Sequence, residues 1–134
     1  MKCISVPQPW AWTILAGFHR VEFRCFSTNY RGDVLVYANA EAREWDRKQF
    51  ALFGQIAPCW EDLLINRVIG LVELYDCVPG TEGEWGWHLR NPRPVAPFWI
   101  RPGRGLFDVP DARVRVIPPT SRSRMRRRLG LVQR

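Results

Sequence analysis

The sequence has few of the residues from which metal sites and disulfide frameworks are built. Its 134 residues include two histidines and four cysteines, and no two cysteines form a C-x-x-C pair. A structural zinc site needs four closely grouped sulfur or nitrogen ligands, so this composition argues against one. We therefore predict a protein without metal, cofactor or disulfide, in a reducing, cytoplasmic compartment.

Long apolar runs are missing as well. No stretch approaches the roughly 18 consecutive apolar residues of a membrane span, and the first residues do not resemble a signal peptide. We therefore expect no contact with a membrane. The length fits one domain. A hydrophobic fraction of 46%, including seven tryptophans, is enough for a core that is stable without a disulfide or a structural metal.

Lysine is also scarce, since 18 of the 20 basic residues are arginine. Arginine favours planar, bidentate contacts to phosphate or carboxylate, although a GC-rich coding sequence would produce the same bias without any function. Residues 1–120 are nearly neutral, with 14 basic and 13 acidic side chains, whereas residues 121–134 contain six arginines and no acid. We therefore divide the chain into a domain over residues 1–118 and an arginine-rich tail over residues 119–134.

The tail has two interpretations, which the sequence leaves open. Its closely spaced arginines could neutralise several phosphates of a nucleic acid, or they could simply be solvated. The candidates for nucleic-acid contact are Arg122, Arg124, Arg126, Arg127 and Arg128.

Hydrophobic periodicity predicts many short strands and two to three short helices. Strands are expected over about residues 2–6, 20–26, 33–38, 67–78 and 85–90, and helices over about residues 10–16, 40–53 and 58–65. Seven of the 11 prolines lie between Pro92 and Pro119, so we expect edge strands and ordered loops there rather than central strands. This mixture indicates an α+β fold, built as a small mixed β-barrel.

The stretch from Gly17 to Arg24 carries the strongest functional signal. A short helix is predicted to end at the glycine, and side chains alternate on the strand that follows, so Arg20, Glu22 and Arg24 share one face. The other face carries Val21, Phe23 and Cys25. We expect the apolar face to enter the core and the charged face to meet water or a ligand.

Six segments, in order along the chain, carry a recognisable pattern. They are SVPQPWAW at residues 5–12, the stretch at residues 17–24, YRG with the apolar strand after it at residues 30–38, VIGLVELYDCV at residues 68–78, the segment ending NPRP at residues 87–94, and GRGLFDV at residues 103–109. Together they resemble the ASCH family, named for activating signal cointegrator-1 homology, over roughly residues 2–110. The resemblance implies a PUA-like β-barrel and a connection with RNA or nucleotides.

The sequence departs from the family signature G-x-K-x-x-E-x-R at one position, because His19 stands where the family has lysine. Some members resemble amidohydrolases that deacetylate acetylated cytidine with this lysine, a nucleophilic threonine at the Glu22 position and a later glutamate. Other members resemble ribonucleases or nucleic-acid binders. Because histidine and glutamate occupy the two positions here, the resemblance implies binding more strongly than catalysis.

The residues around the first helix are candidates for ligand binding. Gln8 lies beside the outward-pointing N–H groups of the helix start, where it could help to bind an anion or could simply cap the helix. Trp10 and Trp87 are candidate platforms for stacking a base. Most of the tryptophans must nevertheless belong to the core.

The charged strand has its own alternatives. Glu22, ionised between Arg20 and Arg24, could accept a hydrogen bond from a base amine or act as a general base, or it could belong to a solvated ion-pair ladder. His19 could act as an acid or base near neutral pH, or it could hydrogen-bond the last carbonyls of the helix.

We therefore predict a domain that binds RNA or a nucleotide-like ligand in a cleft framed by Gln8, Trp10, Glu22 and Arg24. The first alternative is a metal-independent hydrolase of a modified nucleoside or RNA, with Glu22 and His19 as catalytic residues. The second is a protein-interaction module. The identity of the ligand and the oligomeric state stay open.

Overall fold

The computed structural model describes residues 1–118, so the predicted arginine-rich tail at residues 119–134 lies outside the described residues. One six-stranded sheet forms its frame. The strands are β1 (Lys2–Pro7), β2 (Val21–Arg24), β3 (Gly32–Asn39), β4 (Arg67–Pro79), β5 (Trp85–Phe98) and β6 (Phe107–Asp108). Their order across the sheet is β2-β5-β4-β3-β1-β6. β1 and β3 run parallel, and the other neighbouring pairs are antiparallel.

The sheet curls into a half-barrel, helped by register shifts in β4 against both of its neighbours. Two helices accompany it, α1 (Trp10–Leu15) and α2 (Glu44–Ala51). Single 3-10 turns lie at Gly54–Ile56, Trp60–Asp62 and Asp111–Arg113. This architecture confirms the predicted α+β fold. None of the helices within residues 1–118 is long and apolar enough to span a membrane.

Helix α1 is held by packing, because a helix of six residues is not stable alone. All of its residues after Trp10 are buried. A Cβ atom on Gly70 would lie 2.6 Å from Leu15 Cδ1, so the glycine in β4 allows the helix to approach the sheet closely. Gly17, with a φ of 87°, follows the helix as predicted. The main core lies between α1 and the concave face of the sheet.

The second predicted helix begins later than expected. We expected it over residues 40–53 with Asn39 as its N-cap, but α2 starts at Glu44. Asn39 is instead the last residue of β3, where its Nδ2 donates to Ser5 Oγ at 2.8 Å and its Oδ1 accepts from the Glu41 N–H at 3.0 Å. The helix expected over residues 58–65 is reduced to the 3-10 turn at Trp60–Asp62.

The proline-rich segment was expected to hold edge strands and ordered loops rather than central strands, and β5 continues into it as far as Phe98 through Pro92, Pro94 and Pro97. In the sheet order β5 lies between β2 and β4, but its ladder with β2 extends only to His88. Beyond that residue β5 is paired along its length with β4 alone, with an isolated bridge from Val95 to Val116. Prolines are tolerated there because a strand with one free side has N–H positions that need no partner.

Strand β2 faces the opposite way from the prediction. Its alternation is as expected, but Phe23 is 60% exposed and Cys25 is exposed as well, whereas the side chains of Glu22 and Arg24 are only 14% and 21% exposed. The reason is the pairing with β5, in which Glu22 lies opposite the fully buried Trp87. Residues that lie opposite each other share a face of the sheet, so the register turns the charged side chains inward.

Candidate ligand cleft

A cleft of about 490 Å³ opens where β1 and β3 end, beside the inward-turned face of β2. The parallel pairing places Ser5 opposite Tyr37 and Pro7 opposite Asn39, so both strands reach the same edge of the sheet. The cleft is lined by Ser5, Arg24, Tyr37, Asn39, Ala40, Glu41, Asn66 and the loop at residues 102–105.

Hydrogen bonds fix the polar groups of the cleft. Arg24 Nη2 donates to the Ser5 carbonyl oxygen at 2.8 Å, which ties β2 to β1. The Ser5 hydroxyl accepts from Asn39 Nδ2 at 2.8 Å, which ties β1 to β3. A hydroxyl that accepts one bond can still donate its own proton, and the amide of Asn39 has both a second N–H and a second lone pair. The cleft therefore offers preorganised donors and acceptors to a ligand.

A carboxylate with spare hydrogen-bonding capacity lies behind this cleft. Glu22 Oε2 lies 3.6 Å from Arg24 Nη2, and Glu22 Oε1 lies 3.6 Å from His19 Nε2. These ion-pair distances are longer than good hydrogen bonds. His19 Nε2 is buried and has no hydrogen-bond partner within residues 1–118. The structure thus brings three of the predicted residues together: His19, Glu22 and Arg24.

Arg20 and Gln8 do not line this cleft, and Arg20 shares a separate pocket of about 360 Å³ with His19. Arg20 precedes β2, is exposed, and donates from Nε to the Gly17 carbonyl at 3.4 Å. Gln8 is 2% exposed, with Oε1 accepting from the Trp12 N–H at 3.0 Å and Nε2 donating to the Leu64 carbonyl at 2.8 Å. Its amide therefore caps α1 and fixes the segment before β4, and it does not line the cleft.

The two tryptophans predicted to stack on a base, Trp10 and Trp87, differ in how far their rings are exposed. Trp87 is fully buried, donates from Nε1 to the Phe26 carbonyl at 3.0 Å and meets the Phe26 ring edge-on at 5.3 Å. Its ring faces belong to the core. Trp10 is half-buried, with Nε1 donating to Asp46 Oδ1 at 3.0 Å and its ring centroid 6.1 Å from that of His19. Trp10 thus borders the polar cluster while also holding α2.

The sequence interpretation missed several residues that line the cleft or its surroundings. Ser5 lies within the first family-like segment, and Asn39 ends an apolar strand, but neither was chosen. Arg104 belongs to the loop at residues 102–105 and is exposed. A second cavity of about 480 Å³, lined by Pro7, Glu41, Arg43, Trp45 and Asp46, shares Glu41 with the cleft. Only the chain's folding brings these loops to the strand ends.

Within residues 1–118, no three histidine, cysteine, aspartate or glutamate side chains are grouped closely enough to hold a metal ion. The chemical character of the cleft is therefore set by guanidinium, hydroxyl, amide and carboxylate groups.

Comparisons with known proteins agree with this architecture. Human activating signal cointegrator 1 is 33% identical over an alignment of 82 residues, and the match covers 57% of this chain and 14% of the human protein's length. Two variants of ZmASCH from Zymomonas mobilis share the fold, with TM-scores of 0.54 and identities of 17% and 16%, over 82% of this chain and 88% and 90% of theirs. The ASCH domain model matches residues 4–91, so this chain belongs to the ASCH domain family, with its PUA-like fold.

Proposed function

We propose that the protein binds single-stranded RNA or a nucleotide-like ligand in the cleft at the ends of β1 and β3. The observation that carries the proposal is the inward-turned charged face of β2, which presents Arg24 to the cleft with Glu22 behind it. Turning charged side chains inward costs solvation free energy. Arg24 also ties β2 to β1 through the Ser5 carbonyl, but a guanidinium has five N–H donors, so the same side chain can serve a ligand in the cleft as well.

The size and chemistry of the cleft fit one unpaired nucleotide. A volume of about 490 Å³ falls within the range of small-molecule sites. Ser5 and Asn39 offer the mixed donors and acceptors that a base edge requires, and Arg24 offers a planar cation for a phosphate. Sequence-specific RNA recognition reads mostly such unpaired bases. PUA-like folds, including ASCH domains, are often linked to RNA, which supports the same choice of ligand.

Arg104 is the residue best placed to contact a phosphate from outside. It lies between Gly103 and Gly105, and its guanidinium makes no ion pair or hydrogen bond with any other residue of the described chain. A Cβ atom on Gly103 would lie 2.8 Å from Phe107 Cβ, so the loop packs closely on the start of β6. Because the loop backbone is already held in place, a ligand contact by Arg104 costs mainly the rotamer entropy of its own side chain.

The test is equilibrium binding of a fluorescently labelled, short single-stranded RNA to the full chain, measured by anisotropy. We expect Arg104→Ala to weaken binding about tenfold, the value for one lost charged contact. Arg101→Ala is the matched control, because it removes the same charge from the same exposed segment without touching the cleft. It should change binding less than about twofold, and the slope of affinity against salt should fall by about 0.7 in Arg104→Ala only.

A second full-chain variant separates the cleft from the tail. In it, the five nominated tail arginines become glutamine: Arg122, Arg124, Arg126, Arg127 and Arg128. Binding that persists in this variant and still depends on Arg104 supports the cleft. If replacing the tail arginines abolishes binding while Arg104→Ala and Arg101→Ala behave alike, the proposal is wrong.

One contact favours a second candidate function, a metal-independent hydrolase. His19 Nε2 and Glu22 Oε1 lie 3.6 Å apart, and the histidine nitrogen is otherwise unpaired in residues 1–118. Such a pair can move a proton between a ligand and the protein. Product formation from acetylated cytidine or single-stranded RNA, lost in Glu22→Gln but kept in Glu73→Gln, would establish it. Absence of any product with wild-type protein would refute it.

A further inference from the structure

We infer that Trp45 forms a second base-binding subsite, in which its indole stacks on the nucleotide next to the one held in the cleft. This inference rests on the proposed function and extends it from one nucleotide to two. It also assigns the stacking role to a tryptophan other than Trp10 and Trp87.

The second cavity adjoins the cleft, since Glu41 lines both of them. It measures about 480 Å³, and Glu41 forms a wall of both spaces. Pro7 lines the second cavity, and its ladder partner Asn39 lines the cleft. Because the two spaces share Glu41, and because Pro7 and Asn39 are paired strand residues, we expect a chain of two nucleotides leaving the cleft past Glu41 to reach Trp45.

Trp45 differs from most other tryptophans in having an unoccupied ring. Its exposure is 63%, and its ring makes no aromatic, cation–π or hydrogen-bonded contact among the described residues. By contrast, Trp12 and Trp87 are buried, and Trp60 lies 5.3 Å from the Arg47 guanidinium. A large exposed ring that lines a cavity is available to a flat, apolar partner such as a base.

The backbone that carries Trp45 is fixed relative to the cleft. Asp46, the next residue, accepts from Trp10 Nε1 at 3.0 Å through Oδ1 and from the Arg43 N–H at 2.8 Å through Oδ2. One carboxylate therefore joins the first turn of α2 to α1. A ring held on an anchored helix loses less freedom on stacking than a ring on a loose loop.

The charges around the second cavity suit a nucleotide. Arg43 lines it, and its guanidinium makes no ion pair with any residue from 1 to 118. A guanidinium of this kind can meet the phosphate that joins two nucleotides. Glu41 would repel a phosphate but can accept a hydrogen bond from the exocyclic amine of a base such as cytosine. The phosphate is therefore expected on the Arg43 side and the base amine on the Glu41 side.

The experiment compares cytidine monophosphate with a dinucleotide of cytidine, each titrated into the full chain by calorimetry. Trp45→Ala should weaken dinucleotide binding about tenfold, which is within the usual effect of losing one stacked base. The same variant should change monophosphate binding less than twofold. Trp99→Ala is the matched control, because Trp99 is 61% exposed but lines neither cavity. It should leave both affinities within twofold of wild type.

The results separate a failure of the Trp45 subsite from a failure of ligand binding in the cleft. If the dinucleotide binds wild type, Arg104→Ala weakens it, and Trp45→Ala and Trp99→Ala are alike, the second subsite is wrong and cleft binding stands. If neither ligand binds wild type, the proposed function fails and the subsite fails with it. A Trp45→Phe variant that retains most of the dinucleotide affinity would confirm that an aromatic face, rather than the indole N–H, supplies the contact.

Discussion

Glu22 and Trp87 lie directly opposite each other on β2 and β5, and both side chains face the concave side of the sheet. The indole is fully buried, and the carboxylate beside it is 14% exposed. The register between β2 and β5 therefore turns the side chains of Glu22 and Arg24 into the protein. The same register turns the Phe23 side chain outward. The candidate cleft depends on this reversal.

Replacing Phe23 tests the reversal directly. Since its ring is 60% exposed, we expect Phe23→Ala to change the free energy of unfolding by no more than about 0.5 kcal/mol. Trp87→Ala removes a fully buried ring and should cost about 3–5 kcal/mol. Urea denaturation of the two variants measures both. Equal losses would mean that Phe23 is a core residue and that β2 faces the other way.

The contact between α1 and β4 should couple two substitutions. Gly70→Ala alone should cost about 1–3 kcal/mol, because the new methyl group collides with the Leu15 side chain. Leu15→Ala alone should cost about 2–5 kcal/mol through the cavity it leaves. In the double variant the methyl group occupies part of that cavity. The loss of unfolding free energy in the double variant should therefore differ from the sum of the two single losses by about 0.5–3 kcal/mol. Strictly additive losses would mean that Leu15 of α1 does not contact Gly70.

The ion pair between Asp33 and Arg93 should make stability depend on acid pH. Arg93 donates to both carboxylate oxygens of Asp33, at 3.1 and 2.5 Å, and this hydrogen bonding, more than the charge itself, lowers the pKa of Asp33. A carboxyl whose pKa is lower in the folded state stabilises the fold above its unfolded pKa, near 3.8. That contribution is lost as the pH falls from there through the folded pKa.

Asp33→Asn should therefore lower the unfolding free energy by about 1 kcal/mol at neutral pH, a value kept small because Asp33 is 40% exposed to solvent. The difference from wild type should vanish in strong acid. Asp108→Asn removes an exposed surface partner of Lys2 and is the control, with little effect at any pH. A wild-type advantage over Asp33→Asn that stays constant down to pH 2 would contradict the account.

The four thiols should react at very different rates. Burial raises the pKa of the Cys3 thiol to about 12, whereas Cys25 and Cys59 are exposed and Cys77 is half-buried. Because the thiolate is the reactive form, Ellman's reagent should modify two thiols quickly, one more slowly, and Cys3 only after unfolding. Cys25→Ser should remove one fast equivalent. Rapid reaction of four thiols in the native protein would contradict the burial of β1.

Local signals predicted most of the elements. The first strand and helix, the glycine that follows the helix, and β3 and β4 were all expected within about two residues of their observed bounds. Each depends on apolar periodicity or on a residue with a fixed conformational preference, such as Gly17. The family resemblance, carried by six ordered segments, gave the architecture as well.

Non-local contacts account for the failures. Asn39 is a good helix cap in isolation, but the chain uses its amide to join β3 to Ser5. The pairing of Glu22 with Trp87 decides which face of β2 points outward, and Trp87 lies far from β2 in the sequence. Arg104 lines the cleft from a loop, and Trp45 lines the second cavity from the first turn of α2. Hydrophobic periodicity does not indicate either position. The sequence pattern made Arg24 a candidate binding residue, which stays a prediction, but it did not indicate the residues that surround Arg24 in the cleft.

Photo-cross-linking of the full chain to a thiouridine-containing single-stranded RNA, with mass spectrometry of the cross-linked peptides, identifies the segments that contact the RNA. If the RNA occupies the cleft, cross-links should fall within residues 37–45 and 102–105, the segments that contribute to the cleft and the second cavity, and unlabelled RNA should compete them away. Cross-links confined to residues 119–134, or spread over the outer face around Phe23, would contradict binding in the cleft.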